Sequence, residues 1–174
     1  MNKKYLFRTL TPDDQPIVWQ MLYEAAHLSA EGHPSITAAM ENPDLSKYAK
    51  HWGKPDDLGF AACEPLTLKP VGAAWIRLLA GEERGYGYLN DSTPELAMGV
   101  PPEYRNRGIG TRLLALLIGS AKQKYSSLSL SVREDNPAVR LYKRYGFEII
   151  QGSEMTNRVG GRSFNMQLRL AGRA

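Results

Sequence analysis

Residues 95–114 read Glu95-Leu96-Ala97-Met98-Gly99-Val100, Pro101-Pro102-Glu103-Tyr104, Arg105-Asn106-Arg107-Gly108-Ile109-Gly110-Thr111, then Arg112-Leu113-Leu114. The first six residues predict a buried strand, stopped by two prolines that cannot donate to a ladder. From Gly110 the apolar residues recur at Leu113, Leu114, Leu117, Ile118 and Ala121, which is one face of a helix. Ser127–Val132 follows as a short strand with Leu128, Leu130 and Val132 on one side. Strand, helix and strand in that order demand a parallel pair with a crossover helix, because a tight hairpin joins antiparallel strands alone. The fold class is therefore α/β.

Working outward, Tyr5–Leu10 alternates apolar and polar residues as a first strand. Thr11-Pro12-Asp13-Asp14 then opens a helix with a capping hydroxyl, a proline at its first position and acids at its positive end. That helix is expected to bury Ile17, Met21, Leu22, Ala25 and Leu28. Ser29–Asp57 is the least regular stretch, broken at Gly32-His33-Pro34 and Asn42-Pro43-Asp44, with a short helix at Ile36–Met40 and a turn near Leu45–Lys50. Leu58–Glu64 and Val71–Leu79 read as a hairpin, and Gly81–Thr93 as a loop. Beyond the parallel pair, a helix spans Pro137–Tyr145 with Ala138, Leu141, Tyr142 and Tyr145 on one stripe. Gly146 ends it in the left-handed position that follows many helices. Two strands, Phe147–Gln151 and Arg162–Leu170, flank a turn at Gly160-Gly161. Hairpins on either side of a parallel pair make the sheet mixed. Without an internal repeat or a linker, residues 1–174 are expected to form one domain.

The loop 105–111 lies between a strand end and a helix start. Unpaired N–H groups and the positive end of the helix dipole meet there and favour an anion. Gly108 and Gly110 let the backbone approach a phosphate and can adopt positive φ. Arg105 and Arg107 add charge, and Thr111 adds a hydroxyl. A tight turn with its arginines in water would use the same letters, so the pattern alone is not decisive. A Rossmann fingerprint requires a third glycine where Leu113 stands and an acid ending the next strand, which here ends Ser131-Val132-Arg133. No Gly-Lys-Ser/Thr run makes a Walker A loop.

Composition narrows the classes further. At 174 residues the chain can bury a sizeable core, and 43% apolar with 23% charged residues is globular. A net charge of +4 suits an anionic ligand, but no basic run with interleaved aromatics argues for a nucleic-acid partner. Cys63 is the single cysteine, so neither a disulfide framework nor a thiolate zinc site is available. His27, His33 and His51 lack metal-ligand spacing, and no metal is expected. The start Met1-Asn2-Lys3-Lys4 leads into no apolar leader, and no run approaches the ~18 residues of a membrane span. The expected location is the cytoplasm.

About thirty residues after the loop, at the length of a βαβ unit, stands Asn136-Pro137-Ala138-Val139-Arg140-Leu141-Tyr142-Lys143-Arg144-Tyr145-Gly146-Phe147. This resembles the second conserved block of the GNAT superfamily of N-acetyltransferases, Asn-x-x-Ala-x-x-Leu-Tyr-x-x-x-Gly-Phe. The strand 95–100 with Pro102-Glu103-Tyr104 and the Arg-x-x-Gly-x-Gly loop resembles that family's acetyl-CoA block. The loop begins with Arg105 where many members carry Gln. The resemblance implies a GNAT-like α/β fold, a mixed central sheet flanked by helices whose parallel strands, 95–100 and 127–132, splay apart. It implies that acetyl-CoA is the acyl donor, held by Met98, Gly99 and Val100 along the strand and by Arg105, Asn106, Arg107, Gly108, Ile109, Gly110 and Thr111 around the pyrophosphate. It implies further that the Asn136 side chain contacts the cofactor, that the Tyr142 hydroxyl faces its sulfur, and that the amine acceptor is received by residues 27–57 and 152–162.

Acetyl transfer to an amine requires a neutral amine, a stabilised oxyanion and a proton for the departing thiolate. A backbone N–H near Met98–Val100 would serve the oxyanion. Tyr142, with a phenol pKa of ~10 against ~8.5 for a thiol, is protonated at neutral pH and would serve the thiolate. Its alternative reading is a core aromatic. Glu95 is the candidate general base, or else a strand-end glutamate in solvent or in an ion pair. Cys63 reads as packing, and Trp52 and Trp75 as core or pocket wall. The expected activity is direct N-acetyl transfer from acetyl-CoA to a primary amine of a small molecule or peptide. The alternative is an acetyl-CoA-binding sensor without turnover, and a homodimer is left open.

Overall fold

The computed structural model describes residues 4–171, so Met1–Lys3, at the start of the segment read above as carrying no leader, lie outside the described residues. Chain order runs β1 (Leu6–Thr9), α1 (Gln15–Ala25), α2 (Thr37–Glu41), α3 (Pro43–Ser46), β2 (Leu58–Cys63), β3 (Pro70–Arg77), β4 (Glu95–Gly99), α4 (Ile109–Ala121), β5 (Ser127–Arg133), α5 (Ala138–Arg144), β6 (Glu148–Ile149), β7 (Met155–Thr156) and β8 (Arg162–Arg169). The residues group into two compact units, Met1–Arg77 with Ala97–Ala121 and Leu78–Leu96 with Lys122–Ala174.

In the first unit β1, β2 and β3 form an antiparallel meander, with Leu6 opposite Cys63 and Phe60 opposite Ala74. The last residues of β4 follow β3 in the strand order. α4 buries Leu113, Leu114, Leu117, Ile118 and Ala121, the five residues its periodicity selects, together with Ile109. It packs close because β3 carries glycine at Gly72, where an added Cβ would stand 3.0 Å from Ile109 and 3.2 Å from Leu113. The α1 stripe differs from expectation: Val18, Trp19, Met21 and Leu22 are buried, while Ile17 and Ala25 are half-buried. The physical reason lies at the start. Pro12–Asp14 form a 3₁₀ turn, tighter than α-helix, and this rotates the face that follows. Asp14 ties that turn by accepting hydrogen bonds from the Thr11 N–H (2.7 Å) and from both terminal nitrogens of Arg8 (2.7 and 2.8 Å).

A buried ion pair closes the irregular 43–57 stretch onto β3. Arg77, 2% exposed, donates to both oxygens of Asp57 (2.9 and 3.1 Å). It also donates to the carbonyls of Lys47, Lys50 and His51 at 2.7–3.1 Å. Trp52 and Trp75 are core residues whose indole N–H groups donate to the carbonyls of Thr11 and Tyr48. Cys63 is buried on β2 at 3% exposure.

In the second unit β4 meets β5 in parallel, with Glu95 opposite Ser129, and β5 pairs antiparallel with β8 over its full length. Among the described residues the parallel pairing is confined to that one position. β8 also pairs with β6 and with a short strand, β7, where the sequence reading placed no strand. A two-residue strand is too short to show alternation. The turn at Gly160-Gly161 falls between β7 and β8, folded around Asn157, whose side-chain oxygen accepts the N–H groups of Val159 and Gly161.

Candidate active site

The stretch Met98–Thr111, expected from the sequence to hold the cofactor, lies in the first unit. After β4 the chain makes a 3₁₀ turn at Pro102–Tyr104, extends at Arg105 (φ −70°, ψ 160°), and enters α4 at Ile109. Between these points Asn106 (φ 59°) and Gly108 (φ 79°) are left-handed. Left-handed residues on either side of Arg107, which is not left-handed, are an alternation of the kind that backbone nests for anions are built from. The 13-residue helix α4 adds the positive end of its dipole. An added Cβ at Gly108 would meet nothing within 4 Å, so the cradle is open on that side. Gly110 differs from expectation. It lies in the first turn of α4 with no positive φ, and Asn106 is the loop's second left-handed residue. Asn tolerates that region better than most residues, which is the signal its letter carries.

The side chains of this loop do different things. Arg105 Nε donates to the Val100 carbonyl at 2.9 Å, and its guanidinium lies 3.7 Å from Glu24, which also accepts from the Ser29 hydroxyl. Arg105 thus braces the loop on the end of β4 and on α1. Arg107 donates to the Tyr5 hydroxyl at 3.3 Å and lies over the Tyr104 ring. Ile109 is buried, so it offers backbone alone, while Thr111 is exposed. Along the strand, Met98 and Val100 are half-buried. Gly99 is glycine because an added Cβ would stand 2.1 Å from the Met21 carbonyl oxygen of α1.

The other three predicted site residues lie in the second unit. Glu95 is 2% exposed; its carboxylate oxygens accept the N–H groups of Gly87 (2.8 Å) and Gly85 (2.9 Å). It fastens that loop over β5, where Gly87 passes so near that an added Cβ would stand 2.8 Å from the Leu130 carbonyl carbon. Asn136 accepts the Ala138 N–H at 2.9 Å and so caps the turn that starts α5.

Tyr142 is 5% exposed and its hydroxyl has no hydrogen-bond partner among the described residues. Burial pushes its pKa above the ordinary phenol value. Its ring is held by the end of its own helix. The Phe147 N–H donates to the Tyr142 carbonyl (3.0 Å), the Gly146 N–H to the Lys143 carbonyl (3.0 Å), and Gly146 is left-handed at φ 95°. This is a Schellman turn, whose apolar contact is Phe147 edge-on to Tyr142 with ring centroids 5.6 Å apart. The Tyr-x-x-x-Gly-Phe spacing is thus a device that fixes one phenol.

Sequence reasoning did not find Glu24 or Tyr5, which join the loop through contacts distant in sequence, and it gave the neighbouring Tyr104 ring no role of its own. Nor did it find the Gly85 and Gly87 N–H groups, although two glycines around Tyr86 mark a close backbone approach. Among the described residues no group of three or more His, Cys, Asp or Glu side chains gathers to hold a metal, and no helix is long and apolar enough to cross a membrane.

A loop with two left-handed residues between a strand and a helix, and further along the chain a buried tyrosine set by a Schellman turn, in a mixed α/β fold, fit the acetyl-CoA-dependent transferase class. Residues 19–147 match the model of the acetyltransferase (GNAT) family, and the chain belongs to that family. An uncharacterized N-acetyltransferase of Methanocaldococcus jannaschii is 35% identical over 108 residues, covering 58% of this chain and 44% of that protein. The chain thus spans less than half the length of this curated relative. The fold matches that of a candidate acetyltransferase from Salmonella typhimurium solved with its cofactor acetyl-CoA (TM-score 0.68, 20% identity, 98% of this chain and 96% of that one). It also matches a ribosomal-protein-alanine N-acetyltransferase from Brucella melitensis (TM-score 0.63, 23% identity, 95% and 99%).

Proposed function

We propose that residues 1–174 act as one cytoplasmic N-acetyltransferase domain that moves the acetyl group of acetyl-CoA directly onto a primary amine of a small molecule or peptide. The observation that carries this reading is the alternation of left-handed Asn106 and Gly108 at the mouth of α4, which suits a pyrophosphate and leaves space for it. Acetyl-CoA supplies the activated thioester. The loop N–H groups hold its phosphates, with Arg105 bracing the loop, and the Met98–Val100 backbone supplies the donor for the oxyanion. Tyr142 supplies the proton for the departing thiolate. Its raised pKa keeps it protonated, and its hydroxyl, without a hydrogen-bond partner among the described residues, is available to donate. We assign Glu95 an anchoring role, supported by its two backbone hydrogen bonds, and the amine loses its proton to solvent.

Incubation with acetyl-CoA and a library of amines, amino acids and N-terminal peptides, read by product mass, tests the proposal. Acetylated products from at least one amine are expected. Tight acetyl-CoA binding with no product from any amine would establish a sensor instead. Cys63→Ser should keep turnover, with intersecting initial-rate plots; parallel plots and a trapped acetyl-enzyme would overturn the direct transfer.

A further inference from the structure

Beside the phosphate loop, Tyr104 is 8% exposed, yet two exposed cations rest on it. The Arg107 guanidinium lies 5.5 Å from its ring centroid and the Lys69 ammonium 5.6 Å. Tyr5 stands edge-on to the same ring at 6.4 Å and accepts the Arg107 hydrogen bond. The ring is oriented by its hydroxyl, which donates to Glu64 Oε1 at 2.8 Å, while the Thr67 hydroxyl donates to Glu64 Oε2 at 3.0 Å. The turn that presents Lys69 is closed by the Glu64 N–H on the Lys69 carbonyl and the Leu68 N–H on the Glu64 carbonyl, both 2.9 Å, with Leu68 left-handed at φ 58°. Gathering two like charges on one ring costs repulsion. The Glu64 carboxylate lies at the hydroxyl end of the ring, and its one negative charge against Lys69 and Arg107 leaves these three side chains with a net positive charge.

We propose that Lys69 and Arg107 recognise the 3′-phosphate of coenzyme A, and so select coenzyme A thioesters over those lacking that group. The inference rests on the reading of the 105–111 loop as the pyrophosphate site. The 3′-phosphate sits on the ribose that carries the pyrophosphate, one sugar ring away. Arg107 contributes its backbone to the pyrophosphate loop, so its side chain spans the same short interval. A phosphomonoester carries about −1.5 to −2 charges at pH 7, and a cluster of two cations and one carboxylate, net positive, attracts it. Cation–π contact with Tyr104 holds the two long side chains in place, so less conformational freedom is lost on binding.

Calorimetry with coenzyme A and with 3′-dephospho-coenzyme A, on the wild type and on Lys69→Met, tests this. The wild type should bind coenzyme A about tenfold tighter than the dephospho form, the worth of one charge-assisted contact. Lys69→Met should bring that ratio below about threefold, and added salt should narrow the wild-type ratio by screening. Equal wild-type affinities, or an equal loss of both ligands in Lys69→Met, would overturn the inference while leaving the acetyl-CoA reading standing. Binding of neither ligand by the wild type would overturn both.

Discussion

The contact between β4 and α1 sets the cost of a single methyl group. At Gly99 an added Cβ would lie 2.1 Å from the Met21 carbonyl oxygen, 3.0 Å from its carbonyl carbon and 3.1 Å from the Ala25 nitrogen. The first of these is almost 1 Å inside the 3.0 Å limit that β-carbons respect. The obstacle is helix backbone, so no rotamer change relieves it, and α1 must back away from the sheet along several turns. Overpacking of well-packed sites costs about 1–3 kcal/mol and occasionally more; backbone against backbone belongs at the upper end, about 3 kcal/mol. At this chain length each kcal/mol moves the melting temperature by about 2–4 °C, so Gly99→Ala should melt about 6–12 °C below wild type. Gly108→Ala is the control. It meets no atom within 4 Å and costs only the left-handed backbone at φ 79°, about 1–2 kcal/mol. Scanning calorimetry of the three proteins decides the matter. If Gly99→Ala melts within 2 °C of wild type, or above Gly108→Ala, the packing explanation of Gly99 is wrong.

Tyr142→Phe keeps the ring that packs on Phe147 and removes only the hydroxyl. It should lower kcat by roughly ten- to a thousandfold with acetyl-CoA affinity nearly unchanged, and wild-type turnover where chemistry limits kcat would return Tyr142 to a packing role. Arg77→Met strands the Asp57 carboxylate and three carbonyls in the interior, and should cost about 3–5 kcal/mol by chemical denaturation; a loss under about 1 kcal/mol would refute the clamp. The hydrogen-bonded Arg8 guanidinium is the main cause that lowers the Asp14 pKa from 3.8 to about 2. A lowered folded-state pKa stabilises above the unfolded value, so the wild-type advantage over Asp14→Asn should be full above about pH 4 and fade as pH falls toward 2. Because Arg8 is 45% exposed, that advantage should be only about 1 kcal/mol at pH 7, and a gap between the two unfolding curves that is independent of pH would contradict it.

The parts legible in the sequence are those governed by neighbours along the chain. The α4 face, the parallel pair and the Schellman turn at Gly146 all follow from spacing, and the structure carries each of them. The shifted face of α1 was not legible, because a 3₁₀ turn and an α-turn share the same capping letters at Thr11–Asp14. Within the loop, Gly108 and the strand–loop–helix context were readable, whereas Asn106 taking the second left-handed position and Gly110 remaining helical depend on how α4 begins. Glu24 bracing Arg105, Arg77 gripping Asp57 and Glu95 holding Gly85 and Gly87 are long-range pairings. Nothing in periodicity reports them, so a strand-end acid such as Glu95 reads equally as a base, an ion-pair partner or an anchor until its partners are seen.

The burial of Cys63 bears on how the chemistry can be watched. The chain carries one thiol, and at 3% exposure that thiol is sealed within β2. A chromogenic disulfide dye mixed into a running reaction therefore reacts with coenzyme A as it leaves and finds almost nothing to titrate on the native protein. Velocities for any amine can be followed continuously in a cuvette, without quenching and without replacing the cysteine. A slow rise in colour without amine then reports spontaneous thioester hydrolysis or the opening of the β1–β2 edge, and a control lacking acetyl-CoA separates the two.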